Sequence, residues 1–134
     1  MSAASDFLEN ELLDHVLSNA AYTAPTTLYL GLFTSDGGLE NNTEGSQTEI
    51  STSGTAYGRQ SIAFGTASSG SASNSATVTF TAATSNWGTV SHVAIMDAST
   101  GGNVLFHGAV TTSKTIETGD TFQVSASNLT ISLA

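Results

Sequence analysis

The spacing of apolar residues changes once along this chain, and that change limits the fold more than any other feature. Near the N-terminus Leu8, Leu12, Leu13, Val16, Leu17 and Ala20 recur every third or fourth position, leaving Glu9, Asn10, Glu11 and Asp14 between them. This is the period of an amphipathic helix. Ser5 is placed to cap it, Asp6 and Glu9 favour its N-terminal dipole, and Asn19 with Pro25 stand where it must stop, so a helix is expected over residues 5–20. Its apolar face packs on its own domain or docks on a neighbouring subunit.

From Thr26 the period becomes two. Leu28, Leu30 and Leu32 point one way, Tyr29, Gly31 and Phe33 the other, and Asp36-Gly37-Gly38 supplies a turn. Residues 39–55 hold three carboxylates and few apolar side chains, which predicts a long exposed loop. Strand-like segments then follow at 57–64, 76–80, 90–96, 104–110, 114–116, 121–124 and 129–133, parted by turn-rich pieces such as Ser99-Thr100-Gly101-Gly102. Seven to eight short strands with no helices between them predict a mainly β fold, an antiparallel β-sandwich or barrel-like domain with one N-terminal α-helix. At 134 residues the expectation is one domain over 1–134, the β part running over 26–134. No heptad or internal repeat is present to build a shaft.

One hairpin is specific enough to be given a register. With residues 92 and 107 opposite each other across the Ser99–Gly102 turn, Val93, Ile95, Val104 and Phe106 share one face, and His92, Ala94, Met96, Leu105, His107 and Ala109 the other. The second face is more apolar than solvent requires, so it lies under another layer or forms a subunit contact.

Composition excludes several function classes. Serine and threonine supply 41 residues, whereas the only cations are Arg59 and Lys114 against eleven Asp and Glu, a formal net charge of −9. A grip on nucleic acid rests on many Lys or Arg contacts to phosphate, so none is expected. The longest apolar run, 28–33, is too short to span a bilayer, and no export signal opens the chain. Without cysteine there is no thiol chemistry and no cysteine-ligated metal. His92 and His107 are the best metal-ligand pair, but no third ligand joins them, because Asp97 falls on the other face by parity and no HxH or HExxH spacing exists. No G-x-S-x-G elbow or phosphate loop occurs. The reading is a non-enzyme without cofactor or metal.

What remains are contact candidates. Arg59 forms an intrachain ion pair or bridges to another subunit, Lys114 is the second cation to be held, and Trp87 is a core plug or an interface anchor. With His92, Met96, Leu105 and His107 these make up the predicted interface set.

The segments FLENELLDHVLSNAAYTAPTTLYLGLFTSD, AYGRQSIAFG and NSATVTFTAATSNWGTVSHVAIMDASTGGNVLFHGAVTTSKTIETGDTF together resemble a family of short-tailed-phage virion proteins often labelled tail fibre proteins. The resemblance runs from about Phe7 to Leu133. The chain also resembles the small decoration, or cement, proteins of tailed-phage capsids, compact β-domains that often form trimers and staple the major capsid protein. That resemblance implies a homotrimer on the capsid surface, bound to the assembled lattice, with an acidic face outward. The alternative it leaves open is a tail-associated adhesin domain that binds the host surface.

Overall fold

The computed structural model describes residues 3–133. Its elements in chain order are β1 (Ala3–Ala4), α1 (Asp6–Leu17), β2 (Leu28–Phe33), a 3-10 turn at Glu44–Ser46, β3 (Gln60–Ile62), β4 (Ser71–Ser73), β5 (Val78–Thr79), β6 (Gly88–Met96), β7 (Val104–Ile116), β8 (Gln123–Val124) and β9 (Thr130–Ser132). Five strands form an antiparallel sheet in the order β1-β7-β6-β2-β3, with β4–β9 and β5–β8 as two short two-stranded sheets. The main sheet is open, so the fold is a layered β structure and not a closed barrel.

Alternation along β2 decides what covers each face of this sheet. Leu30 and Leu32 enter a cluster with Ile62, Val90, Val93 and Ile95, closed by Val78, Phe80 and Phe122 from the small-sheet layer. Phe33 turns the other way and meets Leu39, Ala94, Met96 and Val104. Beside that second cluster, Leu8 of α1 seats against Ala4 and Leu105. The second face of the hairpin is therefore covered within the chain at Ala94, Met96 and Leu105, by the 36–49 segment and by α1, while Ala109 is exposed.

Residues 39–55 form the largely exposed segment that their polarity predicts, but three positions in it turn inward. Leu39, Ile50 and Thr55 are buried, and an isolated bridge joins Phe33 to Glu49. Single apolar side chains in a polar run reach the core because the backbone between them turns tightly, at the Glu44–Ser46 3-10 turn.

The hairpin register is also corrected. His107 stands opposite Ala94, and His92 opposite Ala109. The loop is one residue longer than the tight turn expected, since Asp97 and Asn103 close it: Asp97 N donates to Asn103 O (3.2 Å) and Asn103 N to Asp97 Oδ1 (2.7 Å). Gly102 makes this closure possible, because at φ +73° a Cβ there would collide with Asp97 Oδ1. A bulge follows, with Ile95 facing Phe106 and Met96 facing Val104, so that Leu105 is the extra residue. The two added residues return Val93, Ile95 and Phe106 to one face and turn Val104 to the face of Met96.

β7 also runs through the gap expected between segments 104–110 and 114–116. Residues 110–113 stand against Ser91 alone, between the Val90–Lys114 and His92–Ala109 pairs, which makes a wide bulge where a break is predicted.

Candidate interaction surfaces

Arg59 is the most elaborated polar group of the chain. Its Nε donates to Glu49 Oε2 (2.8 Å) and Nη2 to Glu49 Oε1 (2.9 Å), while Nη1 donates to Ala98 O (2.7 Å) and Gly101 O (2.8 Å). The planar guanidinium thus ties the 39–55 segment to the β6–β7 turn, a geometry that a point charge does not reproduce. Its side chain is 5% exposed. Burial works against its charge, yet the hydrogen bonds and charge of Glu49 hold its pKa above the ordinary arginine value. These donors are spent inside the chain, so the bridge to another subunit gives way to an internal brace.

Trp87 plugs the core. It is 6% exposed, donates Nε1–H to Thr55 O (2.8 Å) and packs edge-on against Tyr57 with ring centroids 5.4 Å apart. Met96 and Leu105 are buried in the second and third clusters. Neither they nor Trp87 offer surface to a partner in this conformation.

The histidines lie on one face of the hairpin but are offset along it, so they do not form the facing pair expected. His107 Nε2 lies 2.8 Å from Glu40 Oε2, and His92 Nδ1 lies 2.8 Å from Ser91 Oγ. Asp97 is occupied by Asn103, through the main-chain bond above and a second bond from Nδ2 to Oδ2 (3.0 Å). Lys114 is exposed on β7 beside Ile116. A shallow apolar cleft of about 280 Å³ opens between β7 and the C-terminal segment, lined by Val110, Phe122, Val124, Leu129 and Ile131 among others.

Helix α1 carries the surface that sequence reasoning did not separate. Ser5 caps it, its hydroxyl accepting from Leu8 N (3.3 Å) and donating to Val104 O, and Asn19 at φ 56° ends it, three residues short of the expected limit. Leu8 is buried, whereas Leu13, Val16 and Leu17 are 56, 73 and 75% exposed. The signal was present in the spacing: at about 100° per residue, the apolar positions 8 to 20 sweep about half the circumference, more than one packed face uses. Asp6 and Glu9 lie on the same outward stripe, one turn apart, and their carboxylates come within 4.8 Å of Glu40 in an exposed trio. Tyr22 sits under the helix, where His15 Nδ1 accepts its backbone N–H (3.0 Å). Burial, and then the charges of Asp97 and Glu11, raise the pKa of its hydroxyl.

Charge is unevenly placed. Eight of the eleven carboxylates fall within residues 6–49, and Asp97 stands at the β6–β7 turn, while Glu117 and Asp120 follow the far end of β7. Among the described residues no helix is long and apolar enough to cross a membrane.

No curated protein matches the chain. A family profile does match it, that of podophage GP4 fiber I protein gp80, over residues 3–132. With nearly its whole length covered, the chain belongs to that family and is a phage virion structural protein of fibre type.

Proposed function

We propose that the protein is a compact, non-enzymatic subunit of the virion's fibre apparatus, one that joins neighbouring proteins instead of forming a shaft. The observation that carries this reading is the Arg59 brace. The chain's one buried cation, held by Glu49, Ala98 and Gly101, does no more than lock two loops to the sheet. A body fixed in this way transmits force between whatever docks on its surfaces.

Immunogold labelling and cryo-electron microscopy of intact particles test the reading. Label at the tail fibres is expected. A second reading, a decoration protein that binds the major capsid protein as a homotrimer, is favoured by the absence of repeats in the sequence and by the acidic surface, which suits the outside of a DNA-filled shell. Label over the head facets would replace the first reading by the second, and particles without the protein would end both. If the module is instead a host-binding tip, purified protein will compete with phage adsorption.

A further inference from the structure

We propose that the outward face of α1 is a docking site for a segment of another virion protein that sets Lys or Arg side chains beside apolar ones. The face is bipartite. Asp6, Glu9 and Leu13 follow one another at three- and four-residue steps, and Val16 and Leu17 both lie one turn beyond Leu13, so the five share one outward face opposite buried Leu8. The first turns of that face are acidic, and Glu40 brings a third carboxylate to them from the 36–49 segment, held there by His107 at 2.8 Å. The last turns are bare hydrocarbon. Glu9 and Leu17 are eight residues apart, about 12 Å along the axis. A matching occupant carries cations and apolar side chains separated by the same span.

Charge selects among the occupants. A second copy of the chain has only Arg59 and Lys114 to offer, and Arg59 is enclosed by Glu49, Ala98 and Gly101. Two copies meeting through this face would bring carboxylates to carboxylates. An anionic membrane is disfavoured for the same reason. A basic, amphipathic protein segment satisfies both halves at once, the apolar half by burial and the acidic half by ion pairing at its rim. The proposal holds whether the particle carries the protein on its tail or its head.

The test uses the full chain and three synthetic helical peptides, one of Leu and Lys, one of Leu and Glu, and one of Ser and Lys, titrated by calorimetry. The Leu/Lys peptide is expected to bind at least about tenfold more tightly than either of the others. Replacing Leu13, Val16 and Leu17 together by Ser should abolish its advantage over the Ser/Lys peptide, and Asp6→Asn with Glu9→Gln its advantage over the Leu/Glu peptide. Glu117→Gln, beyond the far end of β7, should change nothing. Equal binding of the Leu/Glu peptide, binding that survives the triple substitution, or equal sensitivity to Glu117→Gln overturns the proposal. Unchanged Trp87 emission confirms that each variant folds. In assembled particles, a photo-crosslinker at position 16 should join a different protein at a stretch containing Lys or Arg, and a cross-link to a second copy overturns the assignment.

Discussion

Tyr57 donates its hydroxyl to Glu49 across 2.6 Å while the same oxygen accepts the backbone N–H of Leu32 at 3.0 Å. Burial, and then the neighbouring Glu49 charge, push the Tyr57 pKa far above the ordinary tyrosine value of about 10. The folded state therefore keeps a proton that the unfolded chain releases. The stability this contributes is fully present below about pH 10 and is lost as pH rises beyond it. Chemical denaturation followed by Trp87 emission should show the midpoint falling above that pH. In Tyr57→Phe the fall should be shallower, although the variant is less stable at neutral pH.

Arg59→Ala removes one partner of a largely buried pair and leaves Glu49 without its counter-charge. A loss of about 3 kcal/mol is expected. Arg59→Lys should recover only part of it, because one ammonium cannot reach Glu49, Ala98 and Gly101 together. Urea midpoints of the two variants measure the difference, and equal stability of Lys and wild type would refute the brace.

The two sides of α1 should respond differently to truncation. Leu8→Ala empties a buried site against Ala4 and Leu105 and should cost about 2–5 kcal/mol. Leu17→Ala, at an exposed site, should stay within about 0.5 kcal/mol. Thermal melts of the two variants decide whether the outward stripe contributes to the fold.

Asn74 joins the small-sheet layer to the C-terminal segment. It is almost wholly buried, its Nδ2 donates to Ala76 O (2.9 Å) and Ser125 O (3.0 Å), and its Oδ1 accepts from Leu129 N (2.9 Å). Asn74→Asp sets a carboxylate against two carbonyls and should cost about 3 kcal/mol, more than most surface substitutions. Hydrogen exchange should quicken at Leu129 before it does in β2.

Much of this architecture was legible because the patterns are local. The period of two in β2 placed Leu30 and Leu32 on one face and Phe33 on the other, and Ser5 announced the start of α1. For Trp87 and Arg59 the sequence leaves two roles open, and the structure engages both inside the chain, Trp87 in the core and Arg59 with Glu49. What failed depended on long-range geometry. Parity carries no count of inserted residues, so the longer turn at Asp97–Asn103 and the bulge at Leu105 displaced the histidine pairing. Leu39 and Ile50 looked solvated because their neighbours are polar, and only the tertiary fold shows them buried. The apolar arc of α1 was visible as a single face, and the placement of the sheet divides it into an inner and an outer one.

The enclosure of Arg59 has a consequence outside the fold. Trypsin-like proteases cut only after Lys or Arg, and this chain offers two such bonds. The one after Arg59 leads directly into β3 behind a guanidinium with four engaged contacts, and the one after Lys114 lies within β7. Neither sits at an exposed loop tip, where nicking concentrates. Slow cleavage by a trypsin-like protease is therefore expected of the folded chain, and a new Lys or Arg in one of its exposed loops would remove that resistance.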